Sequence, residues 1–215
     1  MSLTIKRSKD NRVVKCVLHR VADIPGGVTV HVANLGGSAL FEGTPLAKGE
    51  NGMYEVCKTA QIITAANASA TTYEVAKGHH FKVGDYFAVG SNNGQVITAI
   101  DKSNAAKDVI TLGTTLGASV TEGAVAFQTT GANKTVKNTP VAIAGSNMDV
   151  EADTNLFVDA WVIGVVRESN APVVTDAAKN ALKASAWMIA VLSLLRFKAK
   201  AFDTNLASTY QPERQ

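Results

Sequence analysis

The sequence predicts a mainly β protein, in which a small barrel or sandwich domain is inserted between N- and C-terminal β segments. Two observations predict this fold class. Short runs of β-branched and aromatic residues recur along the chain, and Gly, Asn, Asp or Ser bounds each run. Only one segment, near the C-terminus, has the composition and capping residue of a helix, so we expect one short helix. A chain of 215 residues can bury a core without disulfides or metals.

Apolar and polar residues alternate in two stretches of the N-terminal segment, as they do in half-buried strands. The residues expected to face the core are Val14, Cys16 and Leu18 in residues 12–19, and Val28, Val30 and Val32 in the next stretch. Two extended segments, 40–46 and 51–58, follow. The second begins with Asn51-Gly52, a pair typical of hairpin turns because both residues accept positive φ.

Predicted strands are most regular between residues 59 and 131. Five of them occupy residues 71–75, 86–89, 95–100, 108–112 and 123–127. Because they are short and closely spaced, they favour a small all-β barrel or sandwich over alternating strands and helices.

The C-terminal third is predicted to contain strands followed by the helix. Residues 140–144 and 155–166 are predicted strands, with Phe157, Trp161 and Ile163 on a common face. Residues 175–183 are the predicted helix, since Thr175 is a good N-cap and alanine favours helix. We expect residues 183–186 to break the helix and residues 187–192 to form a buried strand, although periodicity alone also allows the helix to continue.

These elements divide the chain into four predicted parts. An N-terminal arm and β segment covers residues 1–58, and the central barrel or sandwich covers residues 59–131. After a polar connector, a C-terminal β segment with the short helix covers residues 139–197, and residues 198–215 form a tail. Each outer segment has too few strands for an independent sheet, so we expect the N- and C-terminal segments to pack together.

Charge and hydropathy argue against nucleic-acid and membrane partners. The net charge is only +3, and the densest basic cluster consists of Lys6, Arg7, Lys9, Arg12 and Lys15. A cluster this small is more typical of a solvated or partner-facing arm than of a polyanion site.

Charged residues interrupt the first 17 residues, so we expect no signal peptide and synthesis in the cytoplasm. The most apolar stretch, residues 184–195, is about half as long as a bilayer-spanning helix and is expected to be core or interface.

The two cysteines and the adjacent histidines offer little metal chemistry. Cys16 and Cys57 lie in apolar stretches without CxxC spacing, so we expect two buried thiols, and a disulfide is the minority alternative. His79 and His80 could ligate a metal ion, but adjacent residues on an extended chain point to opposite faces. The preferred interpretation is a turn that leads into a strand and is anchored to the core, formed by Gly78, Phe81, Val83 and Gly84.

Other polar groups do not form a recognisable catalytic pattern. Asp149, Glu151 and Asp153 alternate, which suits either a calcium site or, as we prefer, a solvated acidic edge. Residues 113–117 resemble a phosphate loop but lack the Lys-Ser/Thr continuation, and hydrolase, dinucleotide and zinc-protease motifs are missing. We therefore expect no catalytic residues, no cofactor and no metal, and a structural or binding role.

An ordered set of short segments resembles the head fiber and capsid decoration proteins of tailed bacteriophages. The set comprises residues 43–46, 52–58, 83–85, 97–101, 108–112, 157–164 and 175–179, and it extends over most of the chain. The resemblance implies attachment to the lattice of the major capsid protein on the exterior of the virion. It also implies a homo-oligomer, most often a trimer, with outer domains that face solvent or a host surface.

Two surfaces are candidate binding sites. The apolar C-terminal stretch exceeds what one small sheet face requires, and its predicted subunit-interface residues are Trp187, Ile189, Leu192, Leu194, Leu195 and Phe197. The alternative is a carbohydrate-binding or adhesin-like β module that recognises a host-surface glycan. Its candidate stacking residues are Tyr73, Tyr86 and Trp161.

Overall fold

The computed structural model describes residues 16–151 and 154–186. Fifteen strands and one α-helix form this part of the chain. The N-terminal strands are β1 (Val17–Asp23), β2 (Val28–Val30), β3 (Ala39–Leu40), β4 (Pro45–Lys48) and β5 (Tyr54–Val56). The central strands are β6 (Thr59–Gln61), β7 (Thr72–Ala76), β8 (Tyr86–Val89), β9 (Gln95–Asp101), β10 (Lys107–Leu112) and β11 (Val125–Thr129). The C-terminal elements are β12 (Ala142–Ala144), β13 (Met148–Asp149), β14 (Leu156–Val158), β15 (Ala160–Val166) and α1 (Asp176–Ala186).

The central strands form a six-stranded antiparallel barrel. Their order is β6-β11-β8-β9-β10-β7, and a bridge between Ile62 and Val75 joins the two ends of this sheet. The amide of Ile63 also donates to the carbonyl of Glu74 at 2.9 Å. The barrel core contains the fully buried aromatic side chains of Tyr73, Phe81 and Phe87, with aliphatic residues from every strand around them. Because the barrel is closed, its two end strands, β6 and β7, lie beside each other.

The N- and C-terminal segments together form a second, seven-stranded sheet. Its order is β1-β15-β12-β4-β5-β2-β14. Only Asp159 separates β14 from β15, although these strands lie near opposite edges of the sheet. The sheet must therefore curl round on itself, and its inner face encloses a separate core that includes Val30, Leu46 and Val158.

Helix α1 packs on the outer face of this curled sheet. Leu182 in the helix contacts a cluster formed by Val17 of β1 and Ile143 of β12, with Trp161 and Ile163 of β15 packed beside them. The hydroxyl of Thr175 accepts a hydrogen bond from the Ala178 amide at 3.2 Å, which satisfies one of the free amides of the first turn.

The predicted fold class is confirmed: the described chain is mainly β, with a barrel inserted between two β segments and one short helix near the C-terminus. The five central predictions correspond to β7–β11. Asn51 and Gly52 have φ angles of 54° and 74° in the turn between β4 and β5, as the hairpin prediction requires. The division into four domains with the stated boundaries stays a prediction.

The prediction for the first strand is confirmed at Cys16, which is buried, and wrong at Leu18, while residues 12–15 lie outside the described residues. Strand β1 begins at Val17, and Leu18, predicted to be buried, is 43% exposed. The reason is that Leu18 and Val21 are extra residues at two irregularities in the pairing with β15. A bulge shifts the side chains that follow to the opposite face, so a simple alternation cannot predict them.

Two C-terminal predictions are also corrected. The predicted strand at 155–166 is divided by Asp159 into β14 and β15. Phe157 lies on the outer face with Trp161 and Ile163, as predicted, because the residues that alternate with them pack in the inner core, but Phe157 is 62% exposed. The predicted helix break at residues 183–186 does not occur, since α1 continues to Ala186 through residues that are mostly good helix formers. The predicted strand at 187–192 and the tail at 198–215 lie outside the described residues. Across residues 16–151 and 154–186, no helix is long and apolar enough to span a membrane.

Candidate functional site

The barrel and the curled sheet meet where a glycine-containing loop contacts the barrel turn at residues 78–84. We call residues 33–37 the junction loop. The amide of Gly36 donates to the carbonyl of His80 at 3.0 Å. A Cβ atom at Gly36 would lie only 2.0 Å from the carbonyl oxygen of Phe81. Only glycine allows the two backbones to approach this closely.

Two barrel lysines hold the junction loop through its carbonyl groups. Lys82 donates from Nζ to the carbonyl of Ala33 at 2.8 Å, and Lys102 donates to the carbonyl of Gly36 at 2.6 Å. The junction loop is therefore held by three hydrogen bonds to barrel residues, and each of them ends on the backbone of the loop.

A buried ion pair fixes the chain where it passes from the curled sheet into the barrel. The ammonium group of Lys58 lies 2.6 Å from a carboxylate oxygen of Asp85, and both side chains are buried. Gln128 donates to the other oxygen of Asp85 at 2.9 Å, and the Lys82 amide donates to the first at 2.9 Å. Burial lowers the pKa of Lys58, while Asp85 opposes that effect. This arrangement satisfies the carboxylate and anchors the connecting segment.

His79 lies against a second buried carboxylate. Its Nε2 atom is 3.2 Å from Oδ2 of Asp108, and Lys77 pairs with the other oxygen of that carboxylate. Its Nδ1 atom accepts a hydrogen bond from the Phe81 amide at 3.2 Å, so the neutral ring carries its proton on Nε2, towards Asp108. Burial lowers the pKa of His79 to about 4, against the opposing effect of Asp108. The ring is therefore neutral at physiological pH.

His80 is buried without a polar partner for its ring. Its side chain is 5% exposed, and neither ring nitrogen has a hydrogen-bond partner. The ring packs under Gly37, where a Cβ atom would lie 3.0 Å from Nδ1. Burial lowers the pKa of His80 to about 4, and the nearby charges of Lys58, His79 and Lys102 add to this effect. A buried imidazole without an acceptor is an unfavourable place for a positive charge.

A cleft of about 370 Å³ lies beside this junction. Its walls come from the curled sheet (Cys16, Phe41 and Glu42), from the barrel (residues 59–61 and 76–79) and from the segment before α1 (residues 169–173). Two of its polar side chains have partners: Glu42 accepts from the Cys16 amide at 2.8 Å, and Thr59 donates to the Val173 carbonyl at 2.5 Å. The second contact joins the barrel wall to the segment before α1.

The Cys16 thiol, which lines this cleft, is not activated as a nucleophile. Burial, with a contribution from Glu42, raises the pKa of the Cys16 thiol to about 11, so the thiolate is scarce at neutral pH. Cys57, outside the cleft, has its pKa raised to about 12 by burial and by Glu55. Both cysteines are buried free thiols, as predicted.

The curled sheet exposes large apolar side chains at both of its edges. Leu18 and Val21 on β1 are 43% and 60% exposed, and Phe157 on β14 is 62% exposed. Among the described strands, β1 pairs only with β15 and β14 only with β2. Strand edges and exposed apolar side chains are the features through which β proteins bind other chains.

Several predicted site residues lie elsewhere than expected. Phe81 anchors the turn as predicted, but Val83 is 58% exposed and does not. Tyr73 is wrong as a sugar-stacking residue, because its ring is 1% exposed in the barrel core. Tyr86 and Trp161 are partly exposed, and the guanidinium of Arg20 lies 5.0 Å from the centre of the Trp161 ring.

The remaining predicted sites are exposed or undescribed. Asp149 and Glu151 are exposed, as a solvated acidic edge would be, and Asp153 is outside the described residues. Within the described ranges, no group of three or more His, Cys, Asp or Glu side chains is arranged to hold a metal ion. The six predicted interface residues from Trp187 to Phe197 also lie outside the described residues.

Sequence reasoning missed the polar pairs at the junction. Lys58 and Asp85 are 27 positions apart, and Lys77 and Asp108 are 31 apart. No local spacing connects such residues. The one available signal was the predicted turn before the strand at residues 86–89, which places Asp85 at the start of β8.

Comparison with protein families, curated proteins and solved structures finds no match to this chain. The fold and the junction therefore define it only as a mainly β protein with an inserted barrel.

Proposed function

We propose that this protein is a virion structural protein of a tailed bacteriophage. It binds the lattice of the major capsid protein on the exterior of the head, as a decoration or cement protein or as a head fiber protein. It is made in the host cytoplasm and either stabilises the shell or projects a surface domain. The ordered resemblance described above supports this role, as does the combination of a closed barrel with an open-edged sheet.

The observation that carries the proposal is the position and surface of β1. This edge strand exposes Leu18 and Val21. It also lies beside α1, since Val17 at the start of β1 packs in one cluster with Leu182 in the second half of α1. An attachment surface formed by an exposed apolar strand edge suits a protein that binds a repeating lattice.

The irregularities of β1 suggest how this surface makes contact. Bulges twist an edge strand and hinder the addition of another strand to it. We therefore expect the lattice to contact the exposed side chains of Leu18 and Val21 more than the backbone of β1. The barrel, whose end strands pair with each other, is the part that projects from the shell.

The proposal is tested by co-sedimentation with empty heads assembled from the major capsid protein of the same virus. The wild-type chain should sediment with the heads, and the double variant Leu18→Lys/Val21→Lys should lose most of that binding. The matched control is Val83→Lys/Val136→Lys, which places the same charges on exposed valines in the barrel and the connector after it. It should bind like the wild type, and circular dichroism checks that all three proteins are folded. A wild-type chain that stays in the supernatant contradicts the proposed function.

A further inference from the structure

We propose that the contact between the junction loop and the barrel is acid-sensitive, and that protonation of the His80 ring releases the loop. Release opens the junction between barrel and curled sheet, while each retains its own core. This inference does not depend on the proposed function.

The surroundings of the His80 ring offer no hydrogen-bond acceptor to an added proton. Its two ring nitrogens are buried and have no partner, and the ring is packed directly under Gly37. A protonated imidazole has two N–H donors that need acceptors. In the closed junction both donors would be unpaired, which costs more than the net value of a typical hydrogen bond.

The charges around His80 increase this cost. Three groups act on the ring: Lys58 from the connecting segment, the adjacent His79, and Lys102, which follows β9. The nearby carboxylate of Asp85 is already held by Lys58, Gln128 and the Lys82 amide. No described carboxylate is hydrogen-bonded to the His80 ring. Protonation therefore adds a positive charge near the ammonium groups of Lys58 and Lys102.

The attachments of the junction loop make its release local. The Gly36 amide bonds to the carbonyl of His80 itself, so movement of that residue breaks this bond directly. The barrel and the curled sheet have separate cores, and the bonds of the loop end on backbone atoms. Breaking these few contacts does not require either core to open.

The sign of the pH effect follows from the lowered pKa. His80 has a pKa of about 4 in the closed junction and its ordinary value of 6.5 when released. A base with a lowered pKa stabilises the closed form fully above its ordinary value and loses that stabilisation as the pH falls towards about 4. At about pH 4.5 this difference increases the released population roughly fifty- to a hundredfold relative to neutral pH.

The test is pH-dependent NMR on the full chain, with His80 titration and amide exchange of Gly36 measured in the same samples. We expect His80 to titrate well below 6.5, and Gly36 protection, corrected for intrinsic exchange, to fall progressively as the pH is lowered from about 6.5 towards about 4. The Ile97 amide, bonded to Asp85 in the barrel, and the Val141 amide, bonded to Leu46 in the curled sheet, should stay protected.

Two variants separate this mechanism from general acid denaturation. His80→Phe keeps a ring of similar size and loses no hydrogen bond, so most of the acid-dependent loss at Gly36 should disappear. His19→Gln removes an exposed histidine of β1 and should respond like the wild type. The inference is overturned if Gly36 stays protected in acid, if His80→Phe loses protection as the wild type does, or if Ile97 and Val141 lose protection together with Gly36.

Discussion

At the scale of single residues, the junction depends on polar groups buried in compensated pairs. Removing Lys58 and Asp85 from water is costly, and only their mutual attraction and the additional donors to Asp85 offset that cost. His80 is the exception, because its ring is buried without such compensation. The same connecting region thus contains one charge that needs its partner and one ring that must remain neutral.

Loss of one member of the pair should destabilise the protein strongly. Asp85→Asn leaves the Lys58 ammonium buried without a counter-ion, and we expect a loss of about 3–5 kcal/mol in the free energy of unfolding. Urea denaturation followed by circular dichroism measures this change. The comparison is Lys58→Met/Asp85→Leu, which removes both charges and should be considerably less harmful than the single change. Equal losses for the two variants would contradict this explanation, because the double variant leaves no unpaired charge.

At the scale of elements, regular strands could be predicted from the sequence and irregular ones could not. Short-range patterns and turn residues were sufficient to locate β7–β11 of the six-stranded barrel, although β7 pairs with β10 and β8 pairs with β11 as well as with β9. In β1, bulges change the inward face at Leu18. In the predicted strand at 155–166, Asp159 ends one pairing and begins another. These features depend on partners distant in sequence, and the same holds for the ion pairs of the junction.

The apolar stretch after α1 supports a separate prediction about assembly. It lies outside the described residues, and the prediction rests on its sequence alone. We expect Trp187→Asp or Leu194→Asp to disrupt a homo-oligomer, with a trimer as the favoured state, because a charge at an apolar interface is costly to bury. Multi-angle light scattering gives the mass. An unchanged mass in both variants would refute the interface assignment.

At the scale of the whole molecule, the chain combines two curled β structures with different edges. The barrel pairs its own end strands, while the curled sheet exposes apolar side chains on β1 and β14. We propose that the curled sheet binds the capsid lattice and that the barrel projects from the shell. The junction between them brings Gly36 and His80 into hydrogen-bond contact.

We propose above all that the protein is a component of the virion exterior. The most direct test of this proposal is quantitative mass spectrometry of phage particles purified through successive density gradients. We predict that peptides of this chain stay with the major capsid protein at a constant ratio in every gradient, and that protease treatment of intact particles removes barrel peptides first. If the chain is missing from infectious particles, or its ratio to the capsid protein falls with each gradient, the proposed function is wrong.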